Sequence, residues 1–78
     1  MTLVPPPPYD HWPSVPVIEH VFTSERVNKE CSVFHNYTVK VDGCTIVNKI
    51  DGKCYIVRIN SDIVRRHELA HCNGWHHE

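Results

Sequence analysis

The sequence has no long apolar run and no excess of charge of either sign. No segment approaches the ~20 consecutive apolar residues that a transmembrane helix needs. Eight basic and nine acidic residues give a formal net charge of −1, without the basic stripe that is typical of nucleic-acid-binding proteins. Residues 2–4 are too few for the apolar core of a signal peptide and lead directly into four prolines. We therefore expect a cytoplasmic protein with no membrane or nucleic-acid partner, with export by a non-classical route as the alternative.

Cysteine pairs of the C-x-x-C type are also absent, which argues against a cysteine-only zinc knuckle. The chain has four cysteines: Cys31, Cys44, Cys54 and Cys72. Small secreted domains with four cysteines usually contain two disulfides, but without a signal sequence we expect reduced thiols. Cys44 and Cys54 are then buried as small hydrophobic residues. An alternative is that a thiolate such as that of Cys31 completes a zinc site as its fourth ligand.

Proline is concentrated at one end of the chain. All six prolines precede residue 17, and Pro5–Pro8 are consecutive, which favours extended polyproline geometry. We therefore predict a poorly ordered, proline-rich arm over residues 1–16, with Tyr9 and Trp12 as candidate anchors. Residues 17–78 are then one small domain with a thin hydrophobic core.

The rest of the sequence predicts a small α+β fold. Segments that are rich in β-branched and apolar residues are expected to form strands: residues 17–22, 33–41, 44–50 and 53–59. Asp51-Gly52, between the last two segments, favours a hairpin with a two-residue type I′ turn. Residues 60–62 are capping candidates for a helix at about residues 62–72. We predict a three- or four-stranded, mainly antiparallel sheet with one C-terminal helix.

The C-terminal residues carry the pattern that decides the functional interpretation. His67 and His71 of an H-E-x-x-H motif lie four residues apart, on one face of a helix, where both can bind one metal ion. Glu68 is rotated by about 100° from His67, so it borders the metal and can take a proton from a water molecule. Gly74 can end the helix in a left-handed conformation and turn the chain back. After such a turn, His77 can approach the same ion.

This segment resembles the metzincin clan of zinc metallopeptidases, whose signature is H-E-x-x-H-x-x-G-x-x-H. The resemblance implies a minimal zincin-like domain in which His67, His71 and His77 bind zinc. It also implies that Glu68 is the general base. In this clan the active-site helix follows two antiparallel strands, the first of which is a sheet edge. Residues 44–50 would then form that edge and bind a peptide or protein substrate by strand addition.

Three functions are compatible with the motif. The first is a zinc-dependent peptidase that hydrolyses peptide bonds with zinc-activated water. The second is a non-catalytic structural zinc module, in which metal binding stabilises a sparse core. The third is a peptidase whose cleft is completed by a partner chain or a second copy, because the only methionine is Met1 and the clan's Met-turn has no counterpart here. His76 competes with His77 as third ligand, and the register of the resembled motif favours His77.

Overall fold

The computed structural model of the protein describes residues 4–35 and 41–76. Within these residues, three strands and two helices follow a one-turn 3-10 helix at Pro7–Tyr9. In chain order they are β1 (Val17–Val21), α1 (Ser24–His35), β2 (Gly43–Val47), β3 (Cys54–Arg58) and α2 (Asp62–Cys72). The small α+β class and the C-terminal helix agree with the prediction from sequence. Within the described residues, neither helix is long and apolar enough to cross a lipid bilayer.

The sheet is mixed and not mainly antiparallel as predicted. Its strand order is β1-β3-β2, with β3 in the centre. β2 pairs antiparallel to β3, from Gly43 opposite Arg58 to Val47 opposite Cys54. β1 pairs parallel to β3, which requires a crossover connection because the ends to be joined lie at opposite edges. Helix α1 lies in that connection.

The strand that we predicted at residues 33–41 is wrong over residues 33–35. These residues are the last turn of α1, and residues 36–40 lie outside the described residues. The helix begins after Thr23, whose carbonyl accepts the main-chain N–H of Val27 at 2.9 Å. Val27 and Cys31, four residues apart and both 0% exposed, form its buried face. This i, i+4 spacing was the helical signal, and it was obscured by the strand-like alternation of apolar and polar residues from Tyr37 to Val41 in the sequence.

The cysteines are disulfide-bonded, which corrects the expectation of reduced thiols. Cys31 pairs with Cys44, and Cys54 pairs with Cys72. The alternative of a Cys31 zinc ligand is therefore wrong as well, because its sulfur is bonded to that of Cys44. The strand register places Cys44 and Cys54 on opposite faces of the sheet. The Cys31–Cys44 disulfide thus joins α1 to one face of the sheet. The Cys54–Cys72 disulfide joins the end of α2 to the opposite face.

The β2–β3 hairpin is present, but its connection is longer than the predicted two-residue turn. It covers residues 48–53, and Gly52 adopts a left-handed φ of +71°. Asn48 organises the loop: its side-chain oxygen accepts the N–H of Ile50 at 2.8 Å, and its main-chain N–H donates to Lys53 at 2.9 Å. An asparagine side chain that mimics a turn in this way competes with the tighter type I′ geometry.

The N-terminal residues lie against α2. Asp10 forms an ion pair with Arg66, and the Arg65 guanidinium lies 5.3 Å from the centre of the Trp12 ring. The side-chain amide of Asn73 donates to the carbonyl oxygen of Tyr9 at 2.9 Å. The division into an arm over residues 1–16 and a domain over residues 17–78 stays a prediction.

Candidate metal centre

Helix α2 presents the motif toward the sheet. It runs from Asp62 to Cys72, which matches the predicted 62–72, and Ser61 is its extended N-cap residue. Its buried residues include His67 and Glu68, which are 6% and 5% exposed. Polar side chains this deeply buried need partners, because burial without hydrogen bonds is costly. The contacts around these two residues therefore define the site.

The two histidines of the motif are hydrogen-bonded to each other through their Nε2 atoms, at nearly the separation that a shared metal ion requires. The Nε2 atoms of His67 and His71 lie 3.1 Å apart. Two nitrogens that bind one tetrahedral zinc at about 2.0–2.1 Å are roughly 3.3–3.4 Å from each other. Only a few tenths of an ångström separate the two arrangements, so zinc could be bound without moving the helix.

The other ring nitrogen of His71 determines which tautomer is present. Nδ1 lies 2.7 Å from the carbonyl oxygen of Trp75. Since a carbonyl oxygen only accepts, Nδ1 carries the proton and donates it to this bond. In the neutral ring, Nε2 is then left with a lone pair on the side of His67. Metal-binding histidines are commonly oriented by such a hydrogen bond to a carbonyl or carboxylate.

The turn after α2 brings the carbonyl group of Trp75 to His71. The helix ends at Cys72, and Gly74 has a left-handed φ of +97°, so the chain reverses as the motif predicted. The main-chain N–H groups of Gly74 and Trp75 donate to carbonyls of the last helical turn, at 3.1 and 3.3 Å. The Trp75 ring stacks on His71 and meets the edge of His67, with centroid distances of 4.9 Å in both cases. The turn therefore holds both imidazole rings.

Glu68 lies beside the two histidines and is held by the sheet. Ligand atoms of His67, Glu68 and His71 all lie within 4.8 Å of one another. Its Oε1 atom accepts a hydrogen bond from the hydroxyl of Thr45 in β2, at 2.7 Å. The other oxygen, Oε2, lies 3.2 Å from the position that a Cβ atom would take at Gly43 of β2. A carboxylate in this position can serve as a base or as a metal ligand.

The surroundings of Glu68 also change its acidity. Burial raises the pKa of this carboxyl group, while the hydrogen bond from Thr45 and, when its ring is protonated, the charge of His71 act in the opposite direction. A raised pKa brings a carboxylate closer to the pH at which it can both accept and return a proton.

The third predicted ligand lies at the limit of what the structure describes. His77 is outside the described residues, so its role as ligand stays a prediction. His76 is described and exposed to solvent, and it does not belong to the group formed by His67, Glu68 and His71. The donor set at hand, two imidazole nitrogens with a neighbouring carboxylate, is one that suits zinc.

Two contributors to the site were missed from the sequence, Thr45 and Gly43. Both lie in β2 on the side that faces α2, because side chains alternate along a strand. Thr45 lies within the predicted edge strand at residues 44–50, whereas Gly43 lies one residue before it, since β2 begins at Gly43. Which face of that strand meets the helix depends on its register with β3, and the sequence does not show that register.

The protein was also compared with known proteins. No family model matches the chain, and no match was found among curated proteins or solved structures. The likeness to metzincins therefore rests on residues 67–77 alone.

Proposed function

We propose that the protein is a zinc-dependent metallopeptidase that hydrolyses peptide bonds. The observation that carries this proposal is the arrangement of His67 and His71, whose Nε2 atoms lie 3.1 Å apart beside a buried carboxylate. The hydrogen bond from His71 to Trp75 leaves the metal-binding nitrogen unprotonated, which supports the same conclusion. We further propose His77 as the third zinc ligand, on the register of the motif.

Each residue of the site has a role in this proposal. The histidines hold and orient the metal ion, and the chemistry that zinc supplies in such sites is Lewis-acid activation of a water molecule and of the scissile carbonyl. Glu68 accepts a proton from the attacking water on a carboxylate oxygen. It then delivers that proton to the leaving amine nitrogen, so that the peptide bond breaks into a carboxylic acid and an amine. The Trp75 ring limits the access of other water to the histidines.

An extended peptide is the substrate class that we propose. β2 forms one edge of the sheet, and its outer side has no partner strand among the described residues. A peptide laid along this edge would gain main-chain hydrogen bonds, and its scissile bond would pass beside Glu68, which contacts the same strand through Thr45. A partner chain or a second copy would supply the opposite wall of the cleft.

The disulfides bear on where such an enzyme would act. Two disulfides that join both helices to the sheet persist in oxidising compartments and are rare in the cytosol. We therefore replace the expected cytoplasmic location with an oxidising, extracytoplasmic one as part of the proposal.

The second candidate function is a structural zinc module. The observation that favours it is the small core, whose largest fully buried side chains are Ile56, Val27, Cys31 and Cys54. The two disulfides weaken this alternative, because they already supply the cross-links that small domains use in place of a metal. If the zinc is structural, its removal unfolds the oxidised protein. If it is catalytic, the oxidised protein stays folded.

The first experiment is the zinc content of untagged protein by elemental analysis. We expect one zinc per wild-type chain, retention of zinc in His76→Ala, and its loss in His77→Ala. Histidines of a purification tag would obscure this comparison. A folded wild-type protein without zinc would overturn both zinc functions, and equal losses in the two variants would overturn the assignment of His77.

Hydrolysis is then measured on a library of fluorescence-quenched peptides. Glu68→Gln keeps the shape of the side chain, so we expect it to retain zinc and to lose roughly 10²–10⁴-fold in rate. Loss of zinc from this variant would show that Glu68 is a ligand and not a base. Unchanged hydrolysis would exclude Glu68 from the reaction.

A further inference from the structure

The Glu68 carboxylate is held on two sides by the edge strand β2. On one side, the Thr45 hydroxyl lies 2.7 Å from Oε1 and 3.2 Å from the main-chain carbonyl oxygen of Glu68. Its single proton is therefore shared between the carboxylate and the helix backbone, with the shorter bond to the carboxylate. This contact joins residues 23 positions apart in the chain, so it belongs to the packing of α2 on the sheet.

On the other side, the carboxylate packs against a glycine. A Cβ atom at Gly43 would lie 3.2 Å from both Cγ and Oε2 of Glu68, and 3.1 Å from the carbonyl oxygen of Val57. These distances are shorter than ordinary van der Waals contacts. A side chain here would require Glu68 or the β3 backbone to move by a few tenths of an ångström, so the glycine allows the close approach of the carboxylate, with a φ outside the left-handed region.

A carboxylate so close to two imidazole nitrogens has a competing role. Aspartate and glutamate are themselves zinc ligands, and a Glu68 oxygen lies within 4.8 Å of the nitrogens of His67 and His71. If Glu68 moved onto the metal, it would take up the coordination position that substrate and water need. A site with all its positions filled by protein ligands is structural, whereas a catalytic site keeps one position open.

We propose that Thr45 is a positioning residue, whose hydroxyl, with Gly43 behind the carboxylate, holds Glu68 beside the metal and outside its coordination shell. This inference rests on the zinc site of the proposed function. It explains why a polar side chain of the edge strand points at the helix and not at solvent. It also assigns β2 a second role besides substrate binding, namely to keep the metal centre open.

The test uses the full chain loaded with cobalt(II), whose visible absorption reports on its ligands. Two dissociation constants are measured: that of cobalt, and that of acetohydroxamate, a small chelator that binds at an open metal position. Thr45→Val has the shape of threonine without its hydroxyl and suits a strand. We expect it to bind cobalt more tightly, because Glu68 becomes an added anionic ligand, and to bind acetohydroxamate about tenfold or more weakly. Thr45→Ser should resemble the wild type in both.

The double variant Thr45→Val/Glu68→Gln separates positioning from general damage. An amide is a poor zinc ligand, so the valine should no longer change the binding of cobalt or of acetohydroxamate once Glu68 is glutamine. The double variant and Glu68→Gln alone should therefore have the same two dissociation constants. Damage to the fold would instead weaken cobalt and acetohydroxamate binding together and would persist in the double variant. Circular dichroism of each variant checks that its helices are intact.

The outcomes also distinguish this inference from the proposed function. If the wild type binds cobalt and Thr45→Val has the same two constants, the positioning role is overturned and the metal site stands. If the folded wild type binds neither zinc nor cobalt, the proposed function is overturned, and the positioning role with it.

Discussion

A main-chain carbonyl fixes the tautomer of His71. The Trp75 oxygen accepts from Nδ1 at 2.7 Å, and it reaches this position because Gly74 turns the chain with a φ of +97°. A residue with a Cβ atom pays roughly 1–2 kcal/mol to adopt left-handed geometry. One glycine thus determines, through one carbonyl, which nitrogen of a candidate ligand carries the lone pair.

The Gly74→Ala variant tests this chain of contacts. We expect it to lower the free energy of unfolding by about 1–2 kcal/mol and to weaken zinc binding, because the strained turn moves the Trp75 carbonyl away from His71. Gly52→Ala is the matched control: its φ of +71° gives a similar strain in the β2–β3 loop, away from the metal centre. Urea unfolding and zinc titration of both variants make the comparison. Equal zinc affinities would contradict the proposed role of the turn.

At the scale of elements, an acidic residue of β1 fastens α2 to the sheet. Glu19 accepts hydrogen bonds from Arg65 of α2 at 2.9 and 3.1 Å and from Arg58 of β3 at 3.2 Å. Arg58 is only 9% exposed, so its buried positive charge is stabilised by the carboxylate of Glu19. The hydrogen bond and charge of Arg65, followed by those of Arg58, lower the pKa of Glu19.

Replacement of Glu19 by Gln should destabilise the protein by roughly 1–3 kcal/mol at neutral pH, because the buried Arg58 loses its counter-charge. Since the pKa of Glu19 is lowered in the folded state, its stabilising contribution is present above the pH at which an ordinary glutamate titrates. That contribution is lost as the pH falls through the folded-state value. The difference in the free energy of unfolding between wild type and variant should therefore be constant near neutral pH and should disappear in acid.

Urea unfolding across this pH range gives the measurement. Asp10→Asn is the control, because it removes the charge of a more exposed ion pair, with Arg66, and should destabilise the protein less than Glu19→Gln does. A pH-independent difference between wild type and Glu19→Gln would show that the ion pairs do not cause the destabilisation.

For the whole molecule, the disulfides supply much of the stability that a larger hydrophobic core would provide. Cysteines account for three of the seven buried hydrophobic residues in the described part of the chain. The two bridges close loops with sequence separations of 13 and 18 residues. Loop-closure entropy assigns about 3 kcal/mol to each bridge. Together they are comparable with the whole stability expected for a domain of this size.

The two disulfides should differ in their effect on the metal centre. We expect Cys31→Ser/Cys44→Ser and Cys54→Ser/Cys72→Ser each to lose about 3 kcal/mol of stability. Only the second pair should also weaken zinc binding, because Cys72 directly follows His71 and its bridge holds that helix end on β3. Urea unfolding with and without zinc, together with zinc titration, distinguishes the two pairs. Equal zinc affinity in both would contradict the coupling.

The parts of the fold that the sequence predicted are those with local signals. The bounds of α2 agree because a capping position, a helical motif and a terminating glycine follow one another in one continuous segment from Ser61 to Gly74. β1 and the β2–β3 pair were also recognisable from their β-branched runs. Helix α1 was missed, because the interval from Val27 to Cys31 was a weaker pattern than the alternation that follows it.

The pairing of cysteines could not be read from their spacing. Our expectation of reduced thiols used the absence of a signal peptide, which concerns the compartment and not the distance between sulfur atoms. What brings Cys54 to Cys72 is the packing of α2 on one face of the sheet. Cys44 reaches Cys31 because it lies on the other face.

The spacing of His67 and His71, and the turn at Gly74, follow from helix periodicity and from backbone sterics within one short segment. Those features are therefore visible in the amino-acid sequence. Other features join residues that are distant along the chain. They are the contacts of Thr45 and Gly43 with Glu68, the parallel pairing of β1 with β3, and the two disulfides. Such contacts depend on strand register and on which face each helix covers, and these are set when the whole chain packs.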